Sequence, residues 1–207
     1  MKKFELTSEF ITNIFGTKLF RIKALVEFGN VKAGELGGYI EKEENLSQYG
    51  NAWVCDDAWV CGNARVYGDA RVYGNARVCG NARVCDDAEV CGNARVYGDA
   101  WVCGNARVYG DAEVCEDARV YGNAWVCGNA RVYGNDDFAT VHGFGSEHRT
   151  TTFFRLKDGN IGVRCGCFYG NLSEFRKKVV ETHGETKKAK EYLMIADLME
   201  FRFSDNS

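Results

Sequence analysis

The stretch GNARVYGDARVYGNARVCGNARVC, from Gly62 to Cys85, repeats one six-residue phrase four times. The phrase continues on both sides, so that fourteen valines stand at a spacing of six between Val54 and Val132. Two residues before each of these valines is an alanine, with Arg, Trp or Glu between the two. Each hexad is therefore Ala-[Arg/Trp/Glu]-Val-[Tyr/Cys]-[Gly/Asp/Glu]-[Asn/Asp]. Repetition at a fixed short period is typical of a solenoid.

The alternation of Ala and Val within each hexad predicts a short strand with both residues on one face. Gly-Asn and Gly-Asp predict a bend, because these residues tolerate positive φ at low cost. Six residues are too few for a helix and a turn. We therefore predict a mainly β chain that winds into a triangular prism with 18 residues per coil, Ala and Val inside, and coils about 4.8 Å apart.

The pattern V-x-x-[ND]-A-x over residues 52–133 resembles the hexapeptide-repeat family of left-handed parallel β-helix proteins. The left hand of the helix and a side-to-side homotrimer are what this resemblance implies. Tyr or Cys after the aliphatic residue departs from the family, which often has Gly or an acid there. The flanking AGELGGYIEKEENLSQYGNAWV (33–54) also resembles phage- or prophage-encoded repeat proteins of unassigned role.

Four segments are predicted. Residues 1–45 form an N-terminal β cap, because the open end of a solenoid must be covered. Residues 46–141 form the β-helix, in which Phe138 occupies a Val position and plugs the far end. Residues 142–149 form a linker, and residues 150–207 form a small ββαα module, whose first helix is predicted to start at a Ser173 cap and stop at Gly184.

The N-terminal sequence and the lengths of the apolar runs indicate where in the cell we expect the protein. MKKFELTSEF carries no apolar run typical of a signal peptide, and no stretch approaches a membrane span. We expect a cytoplasmic protein with no membrane partner, in the host cytoplasm if it is phage-encoded. Eight of the ten cysteines share one repeat position with Tyr, which favours packing as reduced thiols over disulfides.

Catalytic candidates are few. The resemblance raises acyl transfer and carbonic-anhydrase-like metal hydration, both of which rest on histidine. No histidine precedes His142, and no inserted loop interrupts the hexads. Cys165, Cys167, His142 and His148 could form a zinc site, but Cys-x-Cys without standard partner spacing is a weak signal, and buried cysteines are the favoured interpretation. No cofactor is expected.

Residues 18 apart should stack on one face of the prism. Arginine beside aromatic rings on such faces fits an anionic planar ligand such as a nucleotide, or a protein interface. The ligand-binding candidates are Trp53, Arg71, Tyr73, Arg107, Tyr109 and Trp125 on the first face, and Arg77, Arg95 and Tyr97 on the second. A third face carries Arg65, Arg83, Trp101 and Arg119.

Two observations limit these candidates. The hexads hold eleven acids against eight arginines, which argues against nonspecific nucleic-acid binding. Residues 59–70 recur identically at 101–112, an offset of 42 that is not a multiple of 18, so duplication has ignored the faces. Outer ladders and subunit packing therefore remain an alternative role for these side chains.

Taken together, these features predict a non-catalytic binding protein built on a trimeric β-helix. The phage resemblance implies counter-defence, through sequestration of a host protein or a nucleotide signal. An acyltransferase of the hexapeptide-repeat type and a structural or polymer-forming protein are the alternatives.

Overall fold

A computed structural model describes residues 1–145 and 147–204. The hexads form fourteen two-residue strands, each made of the variable residue and its valine, and strands 18 residues apart pair in parallel. The first face contains β4 (Trp53–Val54), β7 (Arg71–Val72), β10 (Glu89–Val90), β13 (Arg107–Val108) and β16 (Trp125–Val126). The second contains β5 (Trp59–Val60), β8 (Arg77–Val78), β11 (Arg95–Val96), β14 (Glu113–Val114) and β17 (Arg131–Val132). The third contains β6 (Arg65–Val66), β9 (Arg83–Val84), β12 (Trp101–Val102) and β15 (Arg119–Val120).

The interior of the prism is the repeat itself. The alanines and valines of the hexads are buried and form one continuous core. Backbone hydrogen bonds join each coil to the next: the amide of Arg65 donates to Ala82 O (2.9 Å) and that of Tyr67 to Val84 O (3.0 Å). Corner glycines such as Gly80 (φ 71°) adopt the left-handed conformation that the bend requires. The parallel β-solenoid is thus confirmed, and its left hand stays a prediction.

The N-terminal segment extends the second face. It contains β1 (Phe4–Thr12), β2 (Lys18–Ala24) and β3 (Leu36–Ile40), and β2 pairs antiparallel with both β1 and β3. Strand β3 then pairs in parallel with β5, with Ile40 opposite Val60. The sheet of the second face therefore has eight strands, and β3 already stacks on the prism.

Buried polar side chains donate hydrogen bonds to backbone carbonyl groups of the first coil. Lys3 Nζ donates to Ala52 O at 2.9 Å, and Asn45 Nδ2 donates to Ala64 O at 2.9 Å. Both side chains are almost fully buried, and each supplies a donor to a carbonyl that has no coil above it. The N-terminal cap therefore satisfies hydrogen-bonding groups as well as covering apolar surface.

The C-terminal module is a four-stranded antiparallel sheet with two helices. Its strands are β18 (Phe138–Val141), β19 (Thr151–Arg155), β20 (Ile161–Cys165) and β21 (Phe168–Asn171), followed by α1 (Leu172–His183) and α2 (Lys187–Phe203). The two helices are confirmed, whereas the sheet has two more strands than predicted. The two additional strands, β18 and β21, have only four residues each. They become strands because β18 pairs with β19 and β21 pairs with β20.

The first helix starts two residues earlier than predicted. Asn171, not Ser173, is the N-cap: its Oδ1 accepts from Glu174 N at 2.9 Å, and Glu174 Oε2 accepts from Asn171 N at 2.8 Å. This reciprocal pair is a capping box, which outcompetes the serine because it satisfies two amides. The helix ends before Gly184, as predicted.

The module closes the far end of the prism. Phe138 is buried beyond the last valine, and Phe154 lies fully buried in the same core as the repeat. The amide of Trp125 donates to Thr152 Oγ1, and that of Arg119 to Asn135 Oδ1, both at 3.0 Å. Residues 142–145 and 147–149 carry no helix or strand. No helix in the described ranges has the length and apolar character needed to cross a membrane.

Candidate ligand-binding faces of the solenoid

The aromatic residues of the first face are covered at both ends. Trp53 is 3 % exposed, and its ring meets Phe4 and Phe28 edge to face. This ring therefore belongs to the N-terminal core, which corrects its assignment as a ligand-binding residue. Burial also leaves Trp53 Nε1 without a hydrogen-bond partner among the described residues.

At the other end of this face, Trp125 lies between two guanidinium groups. Arg107 and Arg164 of β20 each stand 4.9 Å from its ring centroid, and Tyr109 packs edge to face against it. Arg107 also pairs with Glu89 at 3.5 Å. These side chains thus form part of the contact between the prism and the C-terminal module. A ligand that stacked on Trp125 would have to displace Arg164.

Arg71 remains exposed on the first face. It lines a groove together with Asp69, Asp87, Glu89 and Arg107. The mixture of three carboxylates and two guanidinium groups makes this groove a poor site for an anion, because each cation has an acidic neighbour.

On the second face, one carboxylate occupies two of the arginines. Glu113 pairs with Arg131 at 3.2 Å and Arg95 at 3.5 Å, and Tyr97 Oη donates to Glu113 Oε2 at 3.4 Å. Arg77 stacks on Trp59 at 5.4 Å. The candidates Arg95 and Tyr97 are therefore already engaged by an anion of the protein itself.

The third face differs from the other two in its charges. The exposed side chains of Arg65, Arg83 and Arg119 have no ion pair with any carboxylate in the part of the chain that the structure describes. Trp101 lies between Arg83 (4.6 Å) and Arg119 (5.5 Å). Among the described residues, this face thus presents three guanidinium groups without an acidic partner beside an indole.

A groove of 590 Å³ lies at the N-terminal end of this face. Arg65, Arg83 and Tyr67 form its floor on the prism, and Tyr49, 86 % exposed, stands beside them. Glu43 and Glu44 also line the groove, and Glu43 pairs with Lys2 at 2.7 Å. Stacking surface and available cations are thus combined in one concave site.

The third face could have been selected from the sequence. Its variable position never holds an acid, whereas the first column contains Glu89 and the second Glu113. The total number of acids in the repeat does not reveal this difference between faces, because ion pairs form between residues 18 apart on one face.

The Tyr/Cys position forms a second set of ladders beside the variable one. Tyr73 hydrogen-bonds Cys91 in the next coil, and this bond together with burial raises the pKa of the phenol. In the same way burial and Cys85 raise the pKa of Tyr67 to about 12. These phenols are therefore neutral donors at physiological pH.

The cysteines and histidines of the C-terminal module that were weighed as zinc ligands do not form a cluster of three or more ligands among the described residues. Cys165 Sγ accepts from Thr151 Oγ1 at 3.2 Å, and Cys167 is exposed. His142 Nδ1 lies 3.2 Å from Thr150 Oγ1, and His148 Nδ1 lies 2.9 Å from Gly143 O. Within the described ranges, metal-ligand atoms of three or more residues come together only at Cys85, Asp86 and Cys103, in the prism. All ten cysteines carry free thiols.

The hexad repeat is similar to one known family model. The family model described as YdcK beta solenoid repeat matches the hexads in two pairs of overlapping segments, residues 58–74 with 64–80 and residues 88–104 with 100–116. No curated protein matches the chain. The matched segments and the parallel coils agree, and this chain is a β-solenoid repeat protein.

Proposed function

We propose that this protein is a non-catalytic binding protein whose third face recognises an anionic ligand that carries a planar group, such as a nucleotide. The single observation that carries the proposal is the row of arginines on this face, Arg65, Arg83 and Arg119, none of which pairs with a carboxylate of the described residues. Exposed guanidinium groups in a row would donate bidentate hydrogen bonds to phosphate oxygens.

The aromatic neighbours supply the second half of the recognition. Arg83 and Arg119 each stack on the Trp101 ring, so the indole orders both guanidinium groups before a phosphate arrives. Ordering before binding reduces the entropy lost on association. Tyr67 and Tyr49 offer further ring faces in the groove beside Arg65.

The alternatives have less support. Acyl transfer in the resembling family relies on histidine near the prism, whereas His183 here stacks on Tyr192 in the C-terminal module, 5.7 Å between ring centroids. The side-to-side trimer, the host protein as a partner and the counter-defence role remain predictions of the resemblances.

The test is calorimetric titration of the full chain with ADP, pyrophosphate and adenosine. ADP should bind, and pyrophosphate and adenosine should each bind more weakly, because each retains one half of the contacts. Native mass spectrometry of freshly purified protein adds a check for a retained small molecule.

Variants locate the site. Arg83→Gln should weaken ADP binding about 10- to 100-fold, because a hydrogen bond between charged groups contributes about 1.5–3 kcal/mol. Arg131→Gln is the matched control, since Arg131 pairs with Glu113 on the second face and should change affinity less than about twofold. Absence of any heat with ADP or pyrophosphate, or equal losses in the two variants, would contradict the proposal.

A further inference from the structure

Two thiols and a carboxylate meet at one corner of the prism. Cys85 and Cys103 occupy the same position in consecutive coils, and Asp86 follows Cys85 at the bend. The Sγ atoms of the two cysteines and a carboxylate oxygen of Asp86 all lie within 4.8 Å of one another.

This combination is specific to one corner of the repeat. Asp56 and Glu116 also stand at a bend after a cysteine, but the next coil presents Tyr73 or Tyr133 there instead of a second thiol. The other stacked pair, Cys61 and Cys79, has glycine at its bend. The repeat therefore contains internal controls that lack either one thiol or the carboxylate.

The local geometry holds the ligand atoms in place. Asp86 Oδ2 accepts from Gly104 N at 3.1 Å, which fixes the carboxylate through one of its two oxygens. The Cys85 thiol points towards the same carboxylate at 3.9 Å. Cys85 is buried whereas Asp86 is exposed, so the three donors line a path from the prism wall to solvent.

The distances suit a small cation. Zinc lies about 2.3 Å from sulfur and about 2.0–2.2 Å from carboxylate oxygen, so two donors of one tetrahedral ion are about 3.5–3.8 Å apart. Small side-chain rotations satisfy this condition from the observed arrangement. Two thiols favour a soft or borderline metal over Mg²⁺ or Ca²⁺.

The charges of the three donors add to this geometry. Three potential anions at one corner repel one another when ionised. A divalent cation would remove that repulsion and displace the two thiol protons.

We propose that Cys85, Asp86 and Cys103 form a binding site for a thiophilic divalent cation, of which Zn²⁺ is the representative. The two thiolates come from successive coils and the carboxylate from the bend, so the ion would tie the coils together. A fourth position would be filled by water, since Asp86 is exposed. This site adjoins the anion-binding face, since Tyr67 of the groove contacts Cys85, but the proposal does not rest on anion binding.

The experiment is a titration of the full chain, reduced with a phosphine, with Zn²⁺ in competition with a chromophoric chelator, and native mass spectrometry to count bound ions. The wild type should bind one Zn²⁺ per chain. Cys103→Ser and Asp86→Asn should each lower the affinity by at least about tenfold, as changes to a metal site commonly do. Cys79→Ser, which removes a thiol from the pair without a carboxylate, should stay within about twofold of wild type.

Circular dichroism of each variant checks the fold. Asp86→Asn is the variant expected to keep the backbone intact, because asparagine tolerates the φ of 58° found at this residue. The proposal is overturned if the wild type retains no Zn²⁺ at micromolar free metal, or if Asp86→Asn and Cys103→Ser bind as tightly as wild type. A loss confined to Cys79→Ser would also refute it, because the ion would then lie at Cys61 and Cys79.

Discussion

Replacing the corner glycine Gly80 by alanine should destabilise the solenoid by about 2–3 kcal/mol. Gly80 has φ of +71°, and a Cβ there would lie 2.9 Å from Gly98 N and 3.0 Å from Gly98 O in the next coil. The left-handed conformation costs an L-residue about 1–2 kcal/mol. Crowding against backbone adds about 1–3 kcal/mol, and the stiffer unfolded chain offsets about 0.4–1 kcal/mol.

Two further variants separate these contributions. Gly122 has φ of +66° and nothing within 4 Å of the added Cβ, so Gly122→Ala should lose only about 1 kcal/mol. Gly80→Asp should be about 1 kcal/mol more stable than Gly80→Ala, because its carboxylate could accept a hydrogen bond from Gly98 N. Asp56 and Asp86 already accept such a bond from the corner glycine of the next coil, at 3.0 and 3.1 Å.

Urea and thermal unfolding at one fixed protein concentration measure the differences. A loss of about 2–3 kcal/mol corresponds to a decrease in Tm of about 5–10 °C for a chain of this size. Equal stability of Gly80→Ala and Gly122→Ala would refute the argument from coil-to-coil crowding. Gly80→Asp less stable than Gly80→Ala would refute the role assigned to the corner carboxylate.

Two other predictions concern the core and the thiols. Val102→Ala should cost about 2 kcal/mol in urea unfolding, because the fully buried side chain would leave a cavity that the adjoining coils cannot fill; a loss below about 0.5 kcal/mol would show that the prism collapses around it. Iodoacetamide near neutral pH should alkylate Cys79 before Cys55, as peptide mass spectrometry would show. A hydrogen bond from Cys61 and the charge of Arg77 lower the pKa of Cys79, whereas burial and Asp56 raise that of Cys55 to about 11. Cys79 therefore ionises to thiolate at a lower pH than Cys55 does, and equal rates at the two thiols would contradict the assignment.

Much of the prism could be predicted because each hexad contains both the alternation that forms a strand and the residues that form a bend. The three columns of residues, such as Trp53 above Arg71 and Arg65 above Arg83, are confirmed strand by strand. The register follows from the invariant spacing, since any slip would turn valines outward. The same logic failed for β18 and β21, whose short sequences become strands through pairing with their neighbours in the sheet.

The candidate site depends on contacts that the repeat pattern does not predict. Trp53 and Trp125 look like open aromatic residues in the sequence, yet the two end structures cover them. Nothing in the repeat indicates that Phe4 or Arg164 would arrive there, because those contacts join segments distant along the chain.

The amino-acid sequence thus specified the repeating strand, its bends, its inward residues and the vertical order of its outward ones. These depend on alternation and spacing, which are properties of neighbouring residues. Folding in three dimensions settled which outward residues stay available. Glu113 neutralises Arg131, the C-terminal sheet covers Trp125, and the arginines of the third face are left without an acidic partner in the described chain. Charge pairing and burial depend on what lies across a face or over an end, and those neighbours exist once the coils have stacked and the two ends have closed.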